Sequence, residues 1–156
     1  MADFPTEGSQ APDFSLPRDG GGEVSLKDFA GRKLVLYFYP KADTPGCTKE
    51  AIAFNALRAE FEAANTVILG VSADPVKAQD KFKAKHQLDL PLASDEDKAM
   101  LEAYGVWVEK SMYGKKYMGI ERATLLIDAT GRVAKSWPKV KVEGHAADVL
   151  EAAKAL

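Results

Sequence analysis

The chain is poor in the side chains most used for redox and metal chemistry. Of its 156 residues one is cysteine, Cys47, and two are histidine, His86 and His145. A single thiol excludes an internal disulfide, so any redox chemistry must run through Cys47 alone or with a thiol supplied from outside. It also excludes the Cys-x-x-Cys of thioredoxin-type oxidoreductases: Gly46-Cys47-Thr48-Lys49 holds no second thiol. The two histidines have no neighbours at ligand spacing, so they are read as surface residues and no metal site is expected. No charge of one sign dominates. The formal net charge of -2 points neither to nucleic acid nor to an anionic membrane surface. No run approaches the roughly 18 apolar residues of a membrane span. The N-terminus, MADFPTEGSQAPDF, lacks the basic and apolar regions of a secretory signal. A lone cysteine without an export signal fits a reducing compartment, and the cytoplasm is the expected location. Gly20-Gly21-Gly22 lacks the Gly-Lys-Ser/Thr ending of a phosphate loop, which weighs against a nucleotide-binding domain.

What is present is the composition of a globular domain, 46% hydrophobic and 28% charged, with length enough for one core. Residues 1–156 are read as a single domain, with 1–10 as a loose polar arm. Phe14–Leu16 and Glu23–Leu26 flank Pro17-Arg18-Asp19-Gly20-Gly21-Gly22, a turn signal that predicts a small N-terminal β-hairpin. Leu34–Tyr39 is a continuous run of β-formers, as expected of a strand buried on both faces, and Pro40 stops it. Ala51, Phe54, Leu57 and Phe61 recur at helical spacing, which predicts a helix from Thr48. Thr66–Ser72 reads as a second buried strand. Pro75 opens a helix running to His86. Ser94 is the expected N-cap of a further helix ending at Gly105. Ala123–Ile127 and Val133–Trp137 bracket Asp128-Ala129-Thr130-Gly131 as a hairpin, and His145–Leu156 is an Ala-rich terminal helix. Helices alternating with buried strands predict an α/β domain with a central mixed sheet flanked by helices. A thioredoxin-like arrangement satisfies this order, as do other α/β folds.

Cys47 lies where a strand gives way to a helix. A thiol at a helix start faces unpaired backbone N–H groups and the positive end of the macrodipole, both of which favour thiolate. Gly46 permits close backbone approach, Thr44 places a hydroxyl three residues before the sulfur, and Pro40 and Pro45 stiffen the loop. The residues alone leave two readings open: a small buried hydrophobe, as free cysteines usually are, or an activated nucleophile. Thr44 is likewise a helix cap or a site hydroxyl, Arg122 a surface ion-pair residue or a site cation, and Glu50 a first-turn acid or a partner of that cation. Tyr39, Trp107, Tyr113 and Tyr117 line a pocket mouth or, for most of them, pack in the core. Lys81, Lys83 and Lys85 read as a solvated face, as do Lys139 and Lys141.

Pro40-Lys41-Ala42-Asp43-Thr44-Pro45-Gly46-Cys47 contains Pro-x-x-x-Thr-x-x-Cys and resembles the active-site signature of peroxiredoxins. The string FYPKADTPGCTKEA is similar to the bacterioferritin comigratory protein, or PrxQ, subfamily. The resemblance reaches YGKKYMGIERATLLID and Gly131-Arg132-Val133, and spans nearly the whole chain. It implies a thioredoxin-like fold and a peroxidase without metal or organic cofactor, reducing hydrogen peroxide and alkyl hydroperoxides. Carried over residue by residue, it implies that Cys47 is the peroxidatic nucleophile and passes through a sulfenic acid. Thr44 would hydrogen-bond the peroxide, Arg122 would set its guanidinium beside the sulfur, Pro40 would shield the thiolate from water, and Glu50 would orient Arg122 from behind.

The chain departs from the subfamily in one respect. Many members carry a resolving cysteine five residues after the first, where this chain has Ile52, and others carry it on a later helix. The chain therefore resembles a one-cysteine member, as a monomer or dimer, whose sulfenic acid is resolved by an external thiol: thioredoxin, glutaredoxin with glutathione, or a small thiol. An alternative with the same site is a peroxide sensor acting through mixed disulfides. Ile52 is expected to pack where a thiol would otherwise need release, keeping Lys49–Asn55 helical through more of the cycle.

Overall fold

The computed structural model of the chain describes residues 2–156. Strands β1 (Ser15–Pro17) and β2 (Glu23–Ser25) form the N-terminal hairpin, and a short 3-10 turn, Leu26–Phe29, follows. Then come β3 (Lys33–Phe38), α1 (Pro45–Ala56), α2 (Arg58–Ala63), β4 (Thr66–Ser72), α3 (Val76–His86), β5 (Leu92–Ser94) and α4 (Ala99–Ala103). The chain closes with β6 (Trp107–Met112), β7 (Lys115–Ile120), β8 (Ala123–Ile127), β9 (Val133–Trp137) and α5 (His145–Ala155). The central sheet has the order β5-β4-β3-β8-β9, parallel from β3 to β5 and antiparallel from β3 to β9. This is the expected mixed α/β layering.

β3 sits at the middle because every position after Lys33 is buried. Its side chains alternate between two cores, as pleating requires. Leu34, Leu36 and Phe38 join Phe14, Leu16, Leu101 and Tyr104 on one face. Val35, Tyr37 and Tyr39 join Cys47, Phe54, Phe61, Phe82 and Val149 on the other, under the helices. Each such side chain contributes about 1.5–3 kcal/mol on full burial. Gly70 of β4 makes room for one of them: a Cβ there would lie 2.8 Å from the Tyr37 ring and 2.9 Å from its hydroxyl.

Several expectations are corrected. Residues 8–11, at the end of the stretch read as a loose arm, are tied to the sheet. Gly8 N–H donates to Val133 O at 2.8 Å, Val133 N–H to Ser9 O at 2.8 Å, and Ala11 N–H to Gly131 O at 2.9 Å. The arm thereby covers the start of β9, an edge strand whose unpaired groups would otherwise be open. Ser94 ends a strand instead of capping a helix. β5 is three residues long, too short to show a period, and two aspartates serve the start of α4: Asp95 Oδ2 accepts Leu101 N–H at 2.8 Å and Asp97 Oδ1 accepts Ala99 N–H at 3.0 Å. The ribbon β6–β7 was not foreseen. Its two-residue turn is Tyr113-Gly114, with φ of 53° and 77°, a left-handed pair that Asn-Gly usually announces; tyrosine there concealed it. Lys83 is not simply solvated, because its Nζ reaches the buried Asp19 at 2.7 Å. Burial alone would raise the pKa of Asp19, but Lys83, Leu92 N–H and Arg18 outweigh it and hold the carboxyl below its usual range. Lys139 and Lys141 are exposed as expected.

Candidate active site

The helix carrying Cys47 starts earlier than its apolar period indicates. Pro45 takes the first helical position, where its fixed φ and missing N–H cost nothing, and Thr44 is the N-cap. Cys47 thus lies inside the first turn, where backbone N–H groups have no partner within the helix. Thr44 does not cap with its side chain. Its hydroxyl donates to Lys41 O at 2.7 Å, bracing the loop and leaving the oxygen's lone pairs available.

The loop Pro40–Gly46 is tied down from two sides. Ala42 N–H donates to Asp74 Oδ2 at 2.8 Å, and the Ser72 hydroxyl donates to the same oxygen at 2.6 Å. Gln79 donates to Ser72 Oγ at 2.9 Å, and the Tyr39 hydroxyl donates to Gln79 Oε1 at 2.5 Å. On the outside, Asp43 holds a left-handed φ of 62° and meets Lys85 Nζ and His86 Nε2, each at 2.9 Å. The hydrogen bonds from His86 and Lys85 pull the Asp43 carboxyl below its usual range. Sequence reasoning missed both ties. The available signal was Gln79, a polar residue on the stripe of α3 that also carries Phe82.

Arg122 arrives from the opposite direction. It immediately precedes β8, whose Ala123 pairs with Phe38 in the sheet, so it stands beside the end of β3. Its Nη2 lies 3.4 Å from Cys47 Sγ, and its Nη1 donates to Glu50 Oε1 at 2.7 Å. Gly46 permits this approach: a Cβ there would meet Nη2 at 3.1 Å. Cys47 is 1% exposed and Glu50 is 1% exposed. Burial lowers the basicity of Arg122, but Glu50 and Cys47 more than reverse this and leave it raised. Burial lifts the Glu50 carboxyl to about 7 against the pull of Arg122, and its Oε2 has no hydrogen-bond partner.

The structure brings Cys47, Arg122 and Glu50 together and places Thr44 and Pro40 on the loop beside them. It disperses the aromatic candidates. Tyr39 is buried, Tyr113 is 97% exposed at the ribbon tip, and Trp107 and Tyr117 flank a groove that includes Pro40. His145 is not a surface residue. It is buried edge-on between Phe54 and Trp137, with Nε2 2.9 Å from Thr124 Oγ1, and burial lowers its titration to about 4. Ile52 does not pack inward: it is 47% exposed, and α1 is anchored by Ala51 and Phe54 instead. Among the described residues no three His, Cys, Asp or Glu side chains gather where a metal ion could be held, and no helix is long and apolar enough to cross a membrane.

A mixed sheet with a cysteine in the first turn of the helix after its central strand, faced by an arginine, defines a thioredoxin-like protein built around one buried thiol. The chain belongs to the AhpC/TSA family, whose family model matches residues 8–136. It is 52% identical over 143 residues to peroxiredoxin Bcp of Xanthomonas campestris, covering 92% of this chain and 89% of that one. A structure of the Xanthomonas campestris bacterioferritin comigratory protein superposes with a TM-score of 0.87 at 51% identity, over 91% of this chain and 90% of that one. A mutant of Xylella fastidiosa PrxQ gives 0.92 at 42% identity, over 97% of each.

Proposed function

We propose that the chain is a thiol-dependent peroxidase that reduces hydrogen peroxide and alkyl hydroperoxides. The observation that carries this reading is the sole thiol, set in the first turn of α1 with the Arg122 guanidinium 3.4 Å from its sulfur. The Cys47 thiolate attacks the terminal peroxide oxygen. An S–O bond forms, the O–O bond breaks, and the leaving oxygen takes up a proton to become water or an alcohol. Cys47 is left as a sulfenic acid. As charge passes from sulfur to oxygen, Arg122 offers a fixed cation and a planar fork of donors, and preorganised donors of this kind act as an oxyanion hole does. The Thr44 hydroxyl holds the peroxide through its free lone pairs, Pro40 keeps water from the sulfur, and Glu50 fixes the plane of Arg122. The Xanthomonas campestris bacterioferritin comigratory protein was solved in connection with alkyl peroxide reduction, as trapped intermediate and ligand complexes, which supports the same chemistry here.

The sulfenic acid returns to thiolate through an external thiol, because the chain has no second cysteine. A reducing compartment such as the cytoplasm suits this demand. Stopped-flow fluorescence of Trp137, which packs against the Cys47 core, follows the first step when hydrogen peroxide or an alkyl hydroperoxide is added. Rapid oxidation, lost in Cys47→Ser and followed by turnover with added thiol, is expected. Oxidation no faster than that of free cysteine would overturn the proposal, and fast oxidation with no turnover by any thiol would leave a sensor instead.

A further inference from the structure

Gln79 is fully buried on the stripe of α3 that also carries Phe82. A polar side chain in that position is costly unless each of its atoms is paired, and here each is. Ala93 O can only accept, so the amide atom facing it at 2.9 Å is Nε2, and Oε1 is the atom that faces the Tyr39 hydroxyl. Burial pushes the pKa of that hydroxyl far above its usual range, so it stays protonated and donates. Nε2 gives its second hydrogen to Ser72 Oγ at 2.9 Å, and Ser72 gives its own to Asp74 Oδ2 at 2.6 Å. The same oxygen accepts Ala42 N–H at 2.8 Å. Every link has one direction, and such bonds strengthen one another in a dry interior. The links also close a ring. They start at the side chain of Tyr39 and end at the backbone of Ala42, so Pro40 and Lys41 alone lie between the two anchors.

We infer that Gln79 is a positioning residue for peroxide reduction: through this ring it fixes the Lys41 carbonyl, and through that carbonyl it aims the Thr44 hydroxyl. The inference rests on the peroxidase reading and deepens it. Lys41 O is the acceptor of the Thr44 hydroxyl at 2.7 Å. With its hydrogen committed there, the Thr44 oxygen presents only lone pairs, which suits it to accept the O–H of a hydroperoxide. A shift of the Lys41 carbonyl turns the hydroxyl and with it those lone pairs. The loop's outer tie cannot fix this carbonyl as firmly, because it runs through the exposed side chains of Asp43 and Lys85, where solvent and salt screen it. Tyr39, Ser72 and Gln79 are all buried, so the inner ring keeps its strength. Gln79 touches neither Cys47 nor Thr44 by any hydrogen bond of its own, and its effect passes through the loop backbone alone.

The test compares two rates at Cys47: oxidation by hydrogen peroxide, and alkylation by iodoacetamide, which needs the thiolate but no hydroxyl to hold a peroxide. Their ratio cancels the thiolate fraction. Gln79→Met keeps the length of the side chain and removes its hydrogen bonds. The ratio should fall about tenfold, and up to roughly 100-fold for a misplacement of about 1 Å, with the pH midpoint of alkylation unmoved. Ser72→Ala cuts the ring one link further on and should lower the ratio likewise. In a Thr44→Val background there is no hydroxyl to aim, so neither change should lower the ratio further. Gln79→Glu keeps the acceptor for Tyr39 but has a hydrogen for Ser72 only when the new carboxyl is protonated, so its ratio should climb toward the wild-type value as pH falls. A merely structural role would lower stability and leave the ratio alone. An unchanged ratio in both Gln79→Met and Ser72→Ala, an equal fall in both rates, or an equal further loss in the Thr44→Val background would overturn the inference. Each of those results leaves wild-type peroxide oxidation fast. Wild-type oxidation no faster than that of free cysteine would defeat the peroxidase reading itself, and this inference with it.

Discussion

Glu50→Gln tests the coupling between burial and charge under the site. Glu50 sits 1% exposed with one oxygen on Arg122 and the other unpartnered. Burial raises its carboxyl from 4.5 to about 7 even though Arg122 opposes the shift. The native state therefore holds this proton more tightly than the unfolded chain does. The group's stabilising contribution is complete below pH 4.5 and is lost as pH rises through about 7. At about 1.36 kcal/mol for each tenfold change in acidity, ionisation in the folded protein costs about 3 kcal/mol in all, of which roughly 2–3 kcal/mol falls between about pH 5 and 8. Glutamine keeps the acceptor for Arg122 Nη1 but has no proton to lose. It leaves a buried N–H unpaired, a fixed cost of about 1–3 kcal/mol that does not vary with pH. Urea unfolding of both proteins across that range should therefore show the wild type losing its advantage as pH rises. The raised Asp95 carboxyl, at about 6, and the depressed His145, at about 4, are common to both proteins and cancel in the difference. Parallel stability curves would refute the reasoning and show that Glu50 is ionised across the range.

Replacing Arg122 by Met removes the donor at 3.4 Å from the sulfur, and the peroxide step should slow roughly 100- to 1,000-fold, as for loss of one oxyanion donor; an unchanged stopped-flow rate would remove Arg122 from the site. Gly70→Ala forces a Cβ to 2.8 Å from the Tyr37 ring, and denaturant unfolding should show a loss of about 1–3 kcal/mol from overpacking, whereas full stability would mean that β3 and β4 separate freely. His145 stays neutral in the fold, so stability should fall as pH drops from 6.5 toward about 4, and NMR titration of its ring should centre near the lower value; a midpoint near 6.5 would contradict its burial. Ile52→Cys places an exposed thiol five residues after Cys47 on one helix, about 7.5 Å along the axis, beyond the usual reach of a disulfide at about 7 Å. Peroxide should therefore join the two sulfurs only with opening of α1, seen as faster hydrogen exchange over Lys49–Asn55, and a disulfide formed with exchange unchanged would show the helix to be less constrained than Ala51 and Phe54 make it.

Much of this was legible in the amino acids because it depends on local covalent facts. One thiol means no internal disulfide, whatever the fold. Leu34–Tyr39 and Thr66–Ser72 read as buried strands since both of their faces are apolar, and the structure bounds them within a residue at each end. Pro-x-x-x-Thr-x-x-Cys marked the loop and its helix, since proline, an N-cap threonine and glycine act within a few residues of one another.

What the residues left open is what depends on distance through space. Arg122 is 75 positions from Cys47, and only the pairing of β8 against β3 sets its guanidinium on the sulfur. His145 looked like a surface histidine until α5 folded it between Phe54 and Trp137. Ile52 looked like a core residue, yet its place on α1 turns it outward. The ribbon β6–β7 was hidden by an unusual turn residue. The place of Cys47 at a helix start is thus written in its neighbours along the chain, through propensity and backbone geometry. The thiol's charge partner, its burial and the ring of hydrogen bonds behind its loop come from sheet order and packing, which join residues that no local pattern relates.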